Sequence, residues 1–316
     1  MVELGSGSYT YETTGENWGN IPEDWTYKEA TSVAVDENDK VYVFNRGTHP
    51  MIVFNTDGDI LDTWGDGEFT NPHGVTIGPD DSVWCVDNGD HTVKKFSKKG
   101  EKLLQLQGGE PAPAMSGDPF NAPCQVAIDP NNSNIFVADG YSNARVHKYD
   151  PTGRLLTSWG ESGTDSGQFN IVHNIIIDKE GLVYIADREN QRVQVFDNDG
   201  NFISQWNDMS RVAAITMGSG DDPDVYLGEY FCGIRSNETG TNLGPRVSVM
   251  DRKGNVRARL GTQSFGDEPG RFYSPHGIAV DSKGNIYVAE VSWSDYGSQM
   301  DPPREPRSMQ QLVRKG

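Results

Sequence analysis

The amino-acid sequence predicts an all-β fold, a six-bladed β-propeller that occupies residues 1–316 as a single domain. A pair of short strands recurs six times, with a spacing of about 40–60 residues that is typical of propeller blades. Turn residues are also abundant, since 36 of the 316 residues are glycine and 17 are proline. Together these observations favour many short strands joined by tight turns.

Each repeat begins with two β-branched strands joined by a turn of Asp, Asn or Gly. Apolar and polar residues alternate with period 2 along these segments, which favours strands over helices. The pairs read, in chain order, SVAVDENDKVYVFN (32–45), GVTIGPDDSVWCVD (74–87), QVAIDPNNSNIFVAD (125–139), NIIIDKEGLVYIAD (174–187), AITMGSGDDPDVYLGE (214–229) and GIAVDSKGNIYVAE (277–290).

Most repeats continue with a third strand, such as RVQVFD, a Gly-containing turn, and a fourth strand, such as FISQWND. At the chain ends, residues 9–20 resemble a fourth strand and residues 307–315 a third strand. We therefore expect the N-terminal strand to complete the last blade, which closes the ring and removes free sheet edges.

Two segments are longer than the repeat requires: residues 231–245 in blade five and residues 292–307 in blade six. Both insertions follow the second strand of their blade, so we expect them on one face. Long loops of this kind tend to cover functional sites.

Charge and cysteine content exclude several classes of function. The chain has 27 Lys and Arg against 46 Asp and Glu, a formal net charge of −19, which argues against nucleic-acid binding. The sequence shows neither a long apolar segment nor a secretory signal, and its three cysteines lack CxxC spacing. We expect a cytoplasmic protein that acts on a small molecule, with no nucleic-acid or membrane partner.

Histidines concentrate at one position of the repeat, two residues before the Val or Ile that begins each first strand. In chain order this position holds Thr31, His73, Cys124, His173, Ala213 and His276. Innermost strands line the central channel of a propeller, so imidazoles from alternate blades converge there and leave an open coordination position, as in catalytic zinc sites. The alternative is a duplicated turn motif, which predicts histidines in adjacent blades as often as in alternate ones.

A second repeat position, the end of the second strand, is usually acidic and is expected to be structural. Three residues next to it differ from their repeat equivalents: Arg46, Arg188 and the Tyr141 of a DGY sequence. An arginine recognises a carboxylate in a fixed geometry, and a tyrosine near a metal and an arginine can act as a base. For Arg188, a salt bridge with Glu189 is the competing interpretation.

At these residues the sequence resembles the NHL-repeat propellers, specifically the peptidyl-α-hydroxyglycine α-amidating lyases. The most specific stretches are DGYSNAR and ADRENQRVQVF, and the similarity runs from roughly residue 30 to residue 290. The resemblance implies that His73, His173 and His276 bind zinc and that Arg46 and Tyr141 are catalytic. It also implies that Arg188 is a further arginine of the site, and we expect Arg188 and Cys124 to contact substrate.

The implied activity is a metal-dependent lyase that cleaves the C–N bond of a carbinolamide to an aldehyde, such as glyoxylate, and an amide. Zinc suits three imidazoles, although Fe²⁺, Mn²⁺ or another divalent transition metal fits too. Gly277 replaces the family's acidic residue, which argues against a structural calcium ion. Two alternatives remain: a metal-dependent hydrolase or hydratase at the same site, and a non-catalytic NHL interaction propeller.

Overall fold

The computed structural model describes residues 1–15, 18–233, 236, 242–261 and 265–315. It is nearly all-β, and its antiparallel sheets are arranged as a six-bladed β-propeller, which confirms the predicted fold class. By contact density the chain divides into two compact units, Met1–Thr63 with Asp208–Gly316, and Trp64–Asn207. Among the described residues, no helix is long and apolar enough to cross a membrane.

The unit Trp64–Asn207 contains blades two, three and four, each a four-stranded sheet whose strands follow chain order. Its strands are β7 (Pro72–Ile77), β8 (Val83–Asp87), β9 (Thr92–Phe96) and β10 (Lys102–Leu106) in blade two; β11 (Gln125–Ile128), β12 (Ile135–Asp139), β13 (Arg145–Tyr149) and β14 (Leu155–Trp159) in blade three; and β15 (Val172–Ile177), β16 (Val183–Asp187), β17 (Arg192–Phe196) and β18 (Phe202–Trp206) in blade four.

The other unit contains blades one, five and six. Its strands are β3 (Ala30–Val35), β4 (Val41–Asn45), β5 (Met51–Phe54) and β6 (Ile60–Trp64) in blade one; β19 (Arg211–Met217), β20 (Val225–Tyr230), β21 (Arg246–Met250) and β22 (Val256–Leu260) in blade five; and β23 (Pro275–Val280), β24 (Ile286–Glu290), β25 (Met309–Arg314), β2 (Tyr11–Thr13) and β1 (Glu3–Leu4) in blade six.

The N-terminal segment completes blade six, as predicted. β2 pairs antiparallel with β25, with Tyr11 opposite Arg314 and Thr13 opposite Leu312. The two-residue strand β1 pairs with β2 and adds a fifth strand to this sheet. The Tyr11 side chain is fully buried in the core between blades five and six, so apolar packing holds the closing strand as well as the backbone ladder.

Within each unit, neighbouring blades pack face to face. Side chains of blades two and three form one buried cluster and those of blades three and four another. In the other unit, blade six packs against both blade five and blade one. Second strands such as β8 and β16 are buried along their whole length, whereas the fourth strands β10 and β18 are mostly exposed. In blades two to five the fourth strand is mostly exposed, whereas β2, the fourth strand of blade six, is mostly buried.

Residues 292–307 contain a short helix, α1 (Ser292–Asp295), and a 3₁₀ turn, Gly297–Gln299. Part of the insertion 231–245, residues 234–235 and 237–241, lies outside the described residues. Phe231 and Tyr296 both pack against the ring of Phe265, at centroid distances of 5.3 and 5.1 Å. That both insertions occupy one face, and that 1–316 is a single domain, stay predictions.

Candidate metal centre

Buried carboxylates accept hydrogen bonds from the backbone of the segments that precede three of the first strands. Each second strand β8, β16 and β24 ends in a fully buried acid, Asp87, Asp187 or Glu290. Their carboxylates accept the backbone amides of residues 70–71, 170 and 273–274, just before the three histidines. Burial raises the pKa of Asp187 and of Glu290. Asp87 also accepts the Gly89 amide in the turn that follows β8. These contacts agree with the structural role expected for the acidic position.

The histidines lie where the first strand is irregular. The pairing of β7 with β8 skips from Pro72 to Gly74, and that of β23 with β24 skips from Pro275 to Gly277. β15 shows the same shift between Val172 and Asn174. A β-bulge re-aims the side chain of the extra residue. His73, His173 and His276 occupy these three bulges, and all three are buried.

Close packing between blades requires the glycines that follow His73 and His276. A Cβ on Gly74 would lie 2.5 Å from the Cys124 carbonyl oxygen, and one on Gly277 would lie 2.6 Å from the Ser32 Cα. Both clashes are with the backbone of the next blade in the same unit, so a side chain does not fit at either position. The acidic residue that the resemblance would place at 277 to hold calcium is therefore excluded by sterics as well as absent from the sequence.

Main-chain carbonyls orient two of the imidazoles. His73 Nδ1 lies 2.7 Å from the Cys124 carbonyl oxygen, and His276 Nδ1 lies 2.5 Å from that of Thr31. A carbonyl oxygen can only accept, so each Nδ1 donates its proton, and in the neutral ring the lone pair then lies on Nε2. Thr31 and Cys124 occupy the histidine position of their own blades. For His73 and for His276, a ligand in one blade thus meets a carbonyl at the equivalent position of the next blade in the repeat.

One nitrogen atom each of His73, His173 and His276 lies within 4.8 Å of the other two. Three imidazoles, two of them oriented at Nδ1 by main-chain carbonyls, form a donor set typical of catalytic transition-metal sites. These residues therefore fit a divalent metal ion, and the three-histidine site could bind one.

Tyr141 and Arg188 lie next to His73 and His173 in the same unit. The Tyr141 hydroxyl is 3.1 Å from His73 Nε2 and 3.0 Å from His173 Nε2. Arg188 Nη1 donates to the same oxygen at 3.4 Å, and its guanidinium lies over the Tyr141 ring. Arg188 Nε also donates to Glu189 at 2.8 Å, so the salt bridge and the contact with Tyr141 exist together.

Arg46 follows β4 and forms an ion pair that sequence reasoning missed. Its Nη1 donates to Glu29 Oε1 at 2.6 Å, and Glu29 is buried. Ser294, in α1, also donates to Glu29. The signal was available in part, because the predicted pairing of the first two strands of blade one places residues 29 and 46 opposite each other.

Cys124 differs from the expected picture of a substrate contact. Its side chain is fully buried, its Sγ lies 3.8 Å from the Ala122 carbonyl, and burial raises the pKa of the thiol to about 12. The structure describes a main-chain contact with His73 instead. A substrate role for the Cys124 side chain stays a prediction.

A cavity of about 740 Å³ lies in the unit that contains blades one, five and six. Its lining includes Trp18, Trp25 and Tyr27 before blade one and Arg304 and Arg307 at the end of the blade-six insertion. None of the seven residues predicted for the site lines this cavity, so its size carries no argument about the histidine centre.

The repeated four-stranded blades, with a histidine in every second blade, define the class of protein as a repeat β-propeller. The family model of the NHL repeat matches residues 69–96, 169–196 and 272–294, and each match contains one of the three histidines. The chain is 36% identical to mouse NHL repeat-containing protein 3 over 280 residues, 82% of this chain and 76% of the relative. The chain therefore belongs to the NHL-repeat family.

Enzymes of peptide amidation are among its homologues. Peptidyl-α-hydroxyglycine α-amidating lyase 1 of Drosophila melanogaster is 34% identical over 253 residues, 74% of this chain and 45% of that protein. Peptidyl-glycine α-amidating monooxygenase A of Xenopus laevis is 30% identical over 275 residues, 81% of this chain and 28% of that protein. The chain thus spans less than half the length of either relative.

Two solved structures share the fold. Virginiamycin B lyase from Staphylococcus aureus superposes with a TM-score of 0.57 at 15% identity, covering 89% of this chain and 82% of that one. A streptogramin B lyase structure gives 0.60 at 12% identity, covering 99% and 98%. At such low identity these similarities support the propeller fold alone.

Proposed function

We propose that this protein is a metal-dependent lyase that cleaves the C–N bond of a small carbinolamide, an N-acyl-α-hydroxyglycine in the simplest case. Two of its homologues are named peptidyl-α-hydroxyglycine α-amidating lyases, which supports an enzyme of the amidation family with lyase-like activity. The observation that carries the finer proposal is the Tyr141 hydroxyl, which lies about equally far from the Nε2 atoms of His73 and His173 and within reach of Arg188.

His73, His173 and His276 would hold the metal, with zinc as the first candidate and Fe²⁺ or Mn²⁺ as alternatives. A divalent ion with an open coordination position supplies a Lewis acid that stabilises negative charge on a hydroxyl or carbonyl oxygen.

The side chains around the histidines supply the proton transfer and the charge. Tyr141, as a phenolate stabilised by the Arg188 guanidinium, removes the proton of the carbinol hydroxyl. Arg46 stabilises the negative oxygen that results and, with Arg188, binds the substrate carboxylate. Arg188 is buried and held by Glu189, so its orientation is set before substrate arrives.

The reaction balances without a redox partner. The electron pair of the O–H bond becomes the second bond of the new carbonyl, and the C–N bond breaks with its pair on nitrogen. The nitrogen takes the proton that Tyr141 removed. An N-acyl-α-hydroxyglycine thus gives glyoxylate and a primary amide.

We further propose that the protein is cytoplasmic and that its partner is a small molecule, not nucleic acid. The structure contains no disulfide among Cys85, Cys124 and Cys232, which suits a reducing compartment such as the cytoplasm. The net charge of −19 favours a small-molecule substrate over nucleic acid.

The test is glyoxylate release from N-benzoyl-α-hydroxyglycine by protein loaded with zinc or iron. We expect Tyr141→Phe to lower kcat by about 10²–10⁴-fold, the usual range for loss of a general base. The double variant His73→Ala/His173→Ala should lose both metal and activity. Tyr149→Phe, a buried tyrosine in β13 of the same blade, is the matched control and should retain activity.

Metal-loaded protein that releases no glyoxylate from any carbinolamide would refute the lyase proposal. Turnover of esters or hydration of double bonds at the same site would favour the hydrolase or hydratase alternative. A protein that binds no transition metal would favour a non-catalytic NHL propeller.

A further inference from the structure

Glu29 is a buried carboxylate without a role in the chemistry described above. Its side chain is 1% exposed, and it lies directly before β3, the first strand of blade one. The pairing of β3 with β4 places Ala30 opposite Asn45, and the Arg46 amide donates to the Glu29 carbonyl at 3.0 Å. Glu29 and Arg46 are therefore cross-strand neighbours, one residue beyond the paired part of β3 and β4. Their side chains can interact across the two strands.

Both oxygens of the Glu29 carboxylate are used. Oε1 accepts Arg46 Nη1 at 2.6 Å and the Ser294 hydroxyl at 2.5 Å, while Oε2 accepts the Ser294 backbone amide at 2.7 Å. Ser294 also reaches Arg46 Nη1, at 3.4 Å. Three donors on one buried carboxylate satisfy its charge and hold the arginine in one orientation.

The Glu29 contacts join two parts of the chain that are far apart in sequence. Ser294 belongs to α1, inside the blade-six insertion 292–307, and lies 265 residues after Glu29. Two residues after Glu29, the Thr31 carbonyl accepts His276 Nδ1. The three-residue segment 29–31 thus contacts the insertion, Arg46 and a candidate metal ligand at once.

We infer that Glu29 is a positioning residue for the lyase reaction: it fixes the Arg46 guanidinium and docks the insertion 292–307 through Ser294. The inference rests on the proposed function, in which Arg46 stabilises the developing negative charge. The Arg46 side chain is 18% exposed, and its ion pair with the buried Glu29 restricts its rotamers. The insertion supplies Ser294, whose amide and hydroxyl donate to the Glu29 carboxylate that binds Arg46.

The test is a double-mutant cycle with Glu29→Ala and Arg46→Ala, assayed as glyoxylate release from N-benzoyl-α-hydroxyglycine. If Glu29 acts through Arg46, which both binds the substrate carboxylate and stabilises the developing charge, Glu29→Ala lowers kcat/KM by about 10–100-fold, the usual cost of losing a residue that orients a functional group. In the Arg46→Ala background the same substitution then costs no further activity. Losses that multiply across the cycle would overturn the inference.

A milder variant and a matched control distinguish a specific effect of Glu29 from general misfolding. Ser294→Ala changes a surface residue and removes one donor to Glu29, so kcat should fall by about 2- to 10-fold, as for one hydrogen bond. Asp36→Asn alters a buried carboxylate at the other end of the same strand, where it accepts the amides of Asn38 and Lys40. It should leave the activity unchanged.

Hydrogen exchange of residues 292–300 gives a readout that needs no turnover. Exchange should rise in Glu29→Ala and stay at the wild-type level in Asp36→Asn, and equal exchange in wild type and Glu29→Ala would overturn the inference. If the wild type binds metal but releases no glyoxylate, the proposed function fails and the catalytic part of the inference fails with it. Faster exchange in Glu29→Ala would then still support the docking of the insertion by Glu29.

Discussion

At the candidate metal centre, backbone carbonyls of residues that are not themselves ligands orient two of the histidines. Cys124 and Thr31 each hold the Nδ1 of a histidine in the preceding blade of the repeat through a carbonyl oxygen. A carbonyl is present whatever the side chain, so this position can hold Cys or Thr, whereas a metal ligand at the same repeat position needs the imidazole itself. Glu29 differs, because its contribution depends on the carboxylate itself.

Cys124→Ala should therefore retain the metal. The carbonyl that orients His73 is unchanged, and three histidine nitrogens already form the donor set, while the Cys124 sulfur lies buried 3.8 Å from the Ala122 carbonyl oxygen. We expect the same metal content per chain as in the wild type, measured by elemental mass spectrometry of the purified protein. Metal loss as complete as in His73→Ala would show instead that the sulfur is a ligand.

In blades two to five the burial of the strands decreases from the second strand to the fourth. The second strands β12 and β24 have no exposed residue, because both faces of blades three and six pack against neighbouring sheets. A fourth strand such as β10 instead leaves Leu103 56% exposed. The period-2 pattern predicted the strands correctly, yet the inner strands do not alternate in burial. In a stacked arrangement each face of an inner strand is an interior face.

The closing strand β2 gives a prediction at this scale. Tyr11→Ala removes a fully buried ring from the core between blades five and six, which should cost about 3–5 kcal/mol of unfolding free energy, as for other large buried aromatics. Urea denaturation would measure the change. The control is Leu103→Ala, on the exposed strand β10, which should lie within about 0.5 kcal/mol of wild type. Equal midpoints for the two variants would mean that β2 does not close the blade.

At the scale of the whole molecule, the metal should contribute to stability, because the ligands are assembled only in the folded chain. His73 and His173 lie 100 positions apart in the sequence, and His276 lies further still. A ligand that binds only the native state stabilises it by about 2.7 kcal/mol at a free concentration of 100 times its Kd. Chelation should therefore lower Tm, and added zinc should restore it.

The metal-dependent part of Tm should also depend on pH. Imidazole must be neutral to bind a metal, so the increment should be present at pH 8 and disappear as the pH falls below about 6.5, where free imidazole takes up a proton. Differential scanning calorimetry with and without a chelator measures this increment, and the variant His73→Ala/His173→Ala should show none. An increment of equal size in that variant would locate the metal elsewhere.

The sequence alone determined the repeat, the number of blades, the closing strand and the three histidines. Each of these depends on a pattern that recurs within the chain, so that comparison between repeats exposes the constant positions and the deviations. Arg46, Arg188 and Tyr141 stood out for the same reason, and Tyr141 and Arg188 do meet His73 and His173 within one unit.

Only the tertiary structure decided what surrounds these residues. The carbonyls of Cys124 and Thr31, the bulges that aim the histidines, and the bond from Ser294 to Glu29 join positions 51, 245 and 265 residues apart, or depend on register. A carbonyl leaves no trace in composition, and a serine in an irregular insertion has no repeat equivalent for comparison. Such contacts depend on how the strands pack against one another, and no local pattern encodes them.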